Sequence, residues 1–211
     1  SGKVQFAVIL RDPNIADVSG SSAFESDNDA SGTTSTPFTN PVFSNISVYG
    51  PKSDTSTAVN GNFKRGAHIR RSSKACIYNS LISGFPVGLL VDGTNSETNA
   101  TNNELQIRNT IISGCNTPLA VASGSTFDIT TWFNNAAYGN SIQYSNADLA
   151  NDPYNLTSPN FLPKTGSPLL SGADFSASNL SGLTITTYRG AFNTTNWTSG
   201  WANFDPQNTD Y

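Results

Sequence analysis

The chain has 211 residues, with 11 basic and 15 acidic side chains and a formal net charge of −4; it lacks the basic surface that a phosphate backbone demands, which excludes nucleic acid as a partner. Charged residues are only 12% while Asn, Ser and Thr are abundant, a balance that suits a β protein with long polar loops. No apolar run approaches the roughly 18 residues needed to span a bilayer, and the length is that of one domain able to bury a core.

Val4, Phe6, Val8 and Leu10 alternate with other residues, which predicts a strand from the first positions onward. A strand entering without a cap leaves an open sheet end. The expectation is that coils encoded upstream, or a neighbouring copy, cover it. The chain contains no Met, so it is expected to be a processed or cut piece of a longer protein. A second strand over 22–29 turns acidic (Phe24, Glu25, Ser26, Asp27, Asn28, Asp29), and a Gly/Ser/Thr/Pro loop follows to Asn40.

From Pro41 to Cys115 one pattern occurs three times. Phe43, Ile77 and Ile107 each precede, by two residues, Asn45, Asn79 and Asn109. Three residues past each Asn stands an aliphatic (Val48, Ile82, Ile112), and five past it a glycine (Gly50, Gly84, Gly114). Offsets of 34 and 30 residues between successive Asn positions, 79 − 45 and 109 − 79, fall in the range of solenoid repeats. Asn tolerates left-handed backbone angles, so each marks a corner between two short strands. The expected architecture is all-β: a parallel solenoid whose Asn45, Asn79 and Asn109 amides stack as a hydrogen-bonded ladder. Between these rungs, 65–71, 88–93 and 118–123 form a second strand column continuing the acidic strand, with polar loops at 52–62 and 94–103. Within one residue of register, Asp27, Arg70 or Arg71, and Asp92 then share one face as an alternating acid–base–acid ladder.

Over 126–140 the period changes. Asp128 is placed to cap a short helix carrying Ile129, Trp132, Phe133 and Ala136 on one side; a fourth rung on Asn134 with Gly139 competes, and the helix is favoured slightly. Residues 1–125 are thus expected to form coils, 126–150 a short helix or last coil, and 151–211 an irregular aromatic-rich cap over the solenoid end. Cys76 and Cys115 occupy different rung positions, so free thiols or an incidental pair are expected.

The Asn-cornered rungs resemble the right-handed parallel β-helix proteins, whose pectate-lyase-like members carry an internal asparagine ladder at such a corner. The segment Asn160-Phe-Leu-Pro-Lys-Thr-Gly-Ser-Pro-Leu-Leu-Ser-Gly-Ala173 and the following Tyr188-Arg-Gly-Ala-Phe192 are similar to the ends of many secreted β-helix proteins. The whole chain looks like a group of surface-exported, lipoprotein-like β-helix proteins of Gram-negative bacteria. That resemblance implies a place outside the cell or on the outer membrane, and a match to the C-terminal half of a longer solenoid.

For chemistry, Glu25, Asp27 and Asp29 alternate on one strand face near Asp92, and clustered hard oxygen ligands suit Ca²⁺. Arg70, Arg71 and Lys64 offer the competing reading, a self-neutralising ion-pair ladder. A catalytic version follows the resemblance to polysaccharide lyases: Arg70 or Arg71 as the base, Asp27, Asp29 and Asp92 as calcium ligands, Lys64 or His68 on substrate. Arg is hard to deprotonate, and His68, the lone His, reads as structural or surface. Trp132, Tyr188, Trp197, Trp201 and Tyr211 are candidate sugar-stacking rings. The function expected is a non-catalytic surface protein with a structural, adhesive or glycan-binding role. The alternatives are a Ca²⁺-dependent polysaccharide lyase or glycoside hydrolase, and an assembly module pairing with an upstream fragment or a neighbouring copy.

Overall fold

The computed structural model describes residues 2–210, so Tyr211 lies outside the described residues. The chain passes repeatedly through two parallel sheets. A first pass lays down β1 (Lys3–Leu10) and β2 (Ser21–Ser26), and a second β3 (Val42–Tyr49) and β4 (Phe63–Arg70). The third comprises β5 (Cys76–Tyr78), β6 (Leu81–Ser83) and β7 (Val87–Asp92), closed by helix α1 (Thr94–Thr101). The fourth has β8 (Ile107–Arg108), β9 (Ile111–Ser113) and β10 (Thr117–Val121), followed by α2 (Ile129–Phe133), and the fifth contributes β11 (Ser141–Gln143). β1, β3, β5 with β6, β8 with β9, and β11 form one sheet, and β2, β4, β7 and β10 the other. Every pairing within these two sheets is parallel.

The register follows from the aliphatics. Ile9, Val48, Ile82, Ile112 and Ile142 stand side by side across five passes and meet Ala67, Ile69, Leu89 and Val91 of the second sheet in one core. A one-residue slip would turn the whole column out to solvent. The glycines at 66 and 88 let the sheets close on that column: a Cβ on Gly66 would sit 2.2 Å from Ile82 Cγ2, and one on Gly88 2.5 Å from Ile112 Cγ2.

Asn45, Asn79 and Asn109 stack in register and hold left-handed angles, φ 54°, 50° and 51°. The column extends one pass further each way. Phe6, opposite Asn45, has φ 61°, and Gly139, two residues before the Ser141–Ile111 pair, has φ 62°. The corner is therefore a backbone requirement that Asn and Gly meet at low cost, and a phenylalanine at about 1–2 kcal/mol.

The expected amide ladder is corrected, because the Asn45 and Asn79 amides bond to the C-terminal tail and to side chains of neighbouring strands rather than to each other. Asn45 Nδ2 donates to the Tyr188 carbonyl (2.9 Å) and Thr186 Oγ1 (3.1 Å) while its Oδ1 accepts from Gln5 and Ser44. Asn79 donates to the Asp174 carbonyl (3.1 Å) and to Ser44 Oγ (3.2 Å), and accepts from the Asp174 N–H (2.9 Å). The two amides do not bond each other directly; Ser44 Oγ bridges them.

The tail runs along the flank of the first sheet. The antiparallel pair β12 (Ala150–Asp152) and β13 (Asn160–Pro163) leads into segments that cover outward residues Tyr49, Leu81 and Ile111 with Phe161, Leu169, Ala191 and Phe192. Gly190 N–H bonds the Asn79 carbonyl (2.7 Å) and Ala191 N–H bonds Ser47 Oγ (2.9 Å). Gly190 has φ 75°, and a Cβ there would meet Ser47 Oγ at 2.7 Å, so this docking point takes glycine. Its bonds reach back to Lys3 and Gln5 on the first pass, so it lies beside the stack of strands rather than over its end.

In the 126–140 stretch the helix prevails: Asp128 caps α2 through the Thr131 N–H (2.9 Å). Asn134 ends that helix and is not a rung; the fifth pass turns instead at Gly139. Residues 94–101, expected as loop, form α1. Both cysteines are free and buried. No described helix is long and apolar enough to cross a membrane.

Candidate functional site

The outward face of the second sheet carries the charged column. β2, β4 and β7 pair with Ser26 opposite Ile69 and Arg70 opposite Asp92, so Asp27, Arg70 and Asp92 align on neighbouring strands about 4.8 Å apart. Arg70 occupies the column. Arg71 bends away at the strand end with φ 51°, yet its Nη1 still reaches Asp27 Oδ2 at 3.0 Å.

Arg70 is clamped: Nε donates to Asp27 Oδ1 at 2.7 Å and Nη2 meets Glu25 Oε1 at 2.6 Å. The hydrogen bond to Asp27 first, then the charges of Asp27, Glu25 and Asp92, raise its pKa against a modest desolvation penalty. This is the reverse of what a proton-abstracting arginine requires. Asp92 turns to His68, whose Nε2 lies 2.8 Å from Asp92 Oδ2. His68 is 4% exposed. Burial pushes its pKa down, with the Asp92 hydrogen bond opposing and Arg65 and Arg70 adding to the fall, so the imidazole is neutral at pH 7 with Nε2–H donating to Asp92.

The four carboxylates proposed as metal ligands do not meet. Glu25 and Asp27 are held by Arg70, and Asp92 by His68. Asp29 folds back on its own loop, accepting from the Ser31 N–H (2.8 Å), the Thr33 N–H (3.2 Å) and the Thr33 hydroxyl, which holds its carboxyl below the usual carboxylate range. Asp29 lies beyond the end of β2, so the strand alternation that would align it with Asp27 has lapsed. Among the described residues no group of three or more His, Cys, Asp or Glu is placed to hold a metal ion. The arrangement does not fit a calcium ligand set, which needs six to eight oxygens on one centre. Lys64 lies six residues from Arg70 on the same strand, about 20 Å in extended chain, and donates to the Gly61 carbonyl (2.6 Å). It is not part of this site.

Beside the column, Arg70, Arg71, Ser72, Asp92 and the first residues of α1 line a hollow of about 410 Å³. Asn95 and Asn99 anchor that helix to Ser72 and to the Ser72 and Ser73 carbonyls.

The proposed sugar-stacking rings are largely spent on packing. Trp132 donates to the Ala100 carbonyl (3.1 Å) and packs on the main core. Tyr188 stacks on Phe6. Trp197 stacks on Phe192 at 5.1 Å and 8°, ending a buried run from Tyr49 through Phe161. Among the described candidate rings Trp201, 70% exposed and stacked on Trp197 at 6.0 Å, is the one largely open to solvent.

A cleft that no sequence motif marks lies on the outward face of β5 and β8, where Tyr78 and Arg108 project beside tail segment 174–179. The signal was present in the strand alternation of Cys76-Ile77-Tyr78 and Gln106-Ile107-Arg108, whose central residues are core. The tail that walls the cleft is remote in sequence, so no local motif contains it.

Comparison with the curated proteins and with the solved structures finds no match for the chain. Residues 1–202 match the model of the pectate-lyase-like β-helix domain, in keeping with parallel sheets whose successive passes stack on Asn and Gly corners. The chain belongs to that family.

Proposed function

We propose that the protein is a right-handed β-solenoid exported to the surface of a Gram-negative bacterium, where it binds glycans without cleaving them. The family supports a polysaccharide partner and a place outside the cell. The observation that carries the non-catalytic reading is the Arg70 clamp. The one cation aligned with the acidic column is bound by Glu25 and Asp27, and the neighbouring His68 is buried on Asp92. Arg70, the base that the lyase alternative needs, is held protonated by these carboxylates and is not free to take a proton from a sugar carbon. A solenoid supplies instead a long rigid face of repeated side chains, suited to repetitive ligands.

The test is incubation with a panel of acidic and neutral polysaccharides, following unsaturated-product absorbance and reducing ends with and without chelator, alongside a binding measurement. Binding without turnover supports this reading. Absorbance that chelation abolishes would replace it with the calcium-dependent lyase, and new reducing ends without absorbance with a hydrolase.

A second reading rests on the edges of β1 and β2. Each pairs with one neighbour among the described residues, so its other edge offers backbone donors and acceptors to a strand of a neighbouring copy. Native mass spectrometry across a concentration series should then show dimers or longer stacks; a monomer throughout removes this reading.

A further inference from the structure

We propose that the cleft over β5 and β8 is the place where this protein holds a sugar, and that the sugar is an uncharged pyranose unit. The proposal rests on the glycan-binding reading and gives it an address, on a different sheet from the charged column.

The cleft has a volume of about 700 Å³, within the range of small-molecule sites. Its floor is one continuous hydrogen-bond chain. Asn179 Nδ2 donates to Tyr78 Oη at 2.6 Å, and Tyr78 Oη donates to Gln106 Oε1 at 2.9 Å. Arg108 Nε donates to the same Gln106 oxygen at 2.8 Å, and its Nη2 donates to Asn103 Oδ1 at 3.1 Å, which also accepts from Tyr138 Oη at 2.9 Å. Gln106 Nε2 donates to the Asn103 carbonyl at 2.7 Å. The tail wall is fixed, because Leu180 next to Asn179 is buried against Val42, Cys76 and Tyr78. The groups are therefore held before any ligand arrives, which lowers the entropy cost of binding.

The groups that line the cleft select the ligand. Tyr78 has one proton and gives it to Gln106, so it must accept from the Asn179 amide nitrogen. Asn179 Oδ1 is itself buried and out of a ligand's reach. At the other end, the Arg108 guanidinium keeps N–H groups beyond those given to Gln106 and Asn103. A sugar hydroxyl accepts from Arg108 and donates in turn to the carboxylates of Glu104 and Asp174 that line the same cleft.

A carboxylate or sulfate only accepts. It would face the like charges of Glu104 and Asp174, which also line the cleft. The second cation, Lys74, is already 2.7 Å from Glu104, and Lys74 and Arg108 against Glu104 and Asp174 sum to zero charge. Stacking of Arg108 over the Tyr138 ring at 4.1 Å keeps the guanidinium plane fixed at the edge of the site.

The test is isothermal titration of the full chain with neutral hexasaccharides (β-1,4-glucan, α-1,4-glucan and β-1,4-mannan) and with a galacturonate hexamer. We expect saturable binding of a neutral hexasaccharide, weakened about three- to tenfold by Asn179→Ala through loss of the bond that fixes Tyr78, and by tenfold or more in Arg108→Ala. Arg108→Lys, which keeps the charge and loses the fork, should fall between, and thermal melts establish that each variant folds. Neutral-sugar affinity untouched in both Asn179→Ala and Arg108→Lys would overturn the cleft while leaving the glycan-binding reading intact. Binding of the galacturonate hexamer alone would overturn the ligand class. Binding of no saccharide would overturn the cleft and the glycan reading together.

Discussion

The two sheets carry the same alternation of inward aliphatic and outward polar or small residues, yet their outer faces meet opposite fates. On the second sheet the outward column is charged or polar and is satisfied in place: Glu25 and Asp27 by the Arg70 charge, Asp92 by a hydrogen bond from neutral His68. On the first sheet the outward column includes Tyr49, Leu81 and Ile111, which are apolar, and the tail buries them under Phe161 and Phe192. An outward residue that pairs with a neighbouring strand needs no cover. An aromatic or aliphatic one does, and here some sixty residues of irregular chain supply it. The lesson is that stability should concentrate on the tail-covered flank and chemistry on the faces left open.

The sharpest way to break that contrast is Phe161→Ala. Phe161 is 1% exposed and stacks between Tyr49 and Phe192 at 5.3 Å on each side. Truncation should cost about 3–5 kcal/mol, read as a drop in denaturant midpoint with loss of the near-ultraviolet circular dichroism of the stack. Next comes a matched pair, Asn79→Ala and Asn109→Ala. Both residues hold the same left-handed corner, but Asn79 also ties down both backbone groups of Asp174. Asn109→Ala should cost about 1 kcal/mol for the corner alone, and Asn79→Ala a further ~1–3 kcal/mol for the orphaned groups. Equal losses in chemical denaturation would mean that the tail is not held where these bonds put it.

The open face should respond weakly. Arg70→Gln removes an ion pair whose members are 25–46% exposed, and after solvent screening the expected loss in melting experiments is about 0–1 kcal/mol. The smallest effect is a slope. His68 is buried with its pKa held below the free value near 6.5, so its neutral form is the one the fold favours. Its contribution is complete above the unfolded pKa and is lost as pH falls through the folded one. Melting temperature should therefore decline as pH drops below about 6.5, and His68→Gln should flatten that decline. An unchanged slope in the variant would show that His68 charges freely in the folded state.

Periodic features were legible and singular ones were not. The Asn corners, the aliphatic column and the Asp27–Arg70–Asp92 alignment each repeat at rung spacing, and a repeat in sequence becomes a stack when strands pair in parallel. The destination of the Asn amides was hidden, because their partners at 174, 186 and 188 lie 95 to 143 residues away. Helix α1 was hidden for a related reason. Thr-Asn-Ser-Glu-Thr-Asn-Ala-Thr has weak helix propensity, and Asn99 holds it by bonding the Ser72 and Ser73 carbonyls. Asp29 looked like a metal ligand only while the strand was assumed to continue past Ser26.

The sequence by itself determined the parallel register, the left-handed corners and the charged column, since each depends on residues spaced one coil apart. The tertiary structure decided where the tail lies, which amides it consumes, and that Asn179, remote in sequence, completes a polar cleft with Tyr78 and Arg108. The reason is physical: backbone angle and side-chain alternation are local properties, whereas the partner of a buried amide is fixed only when distant segments compete to satisfy it.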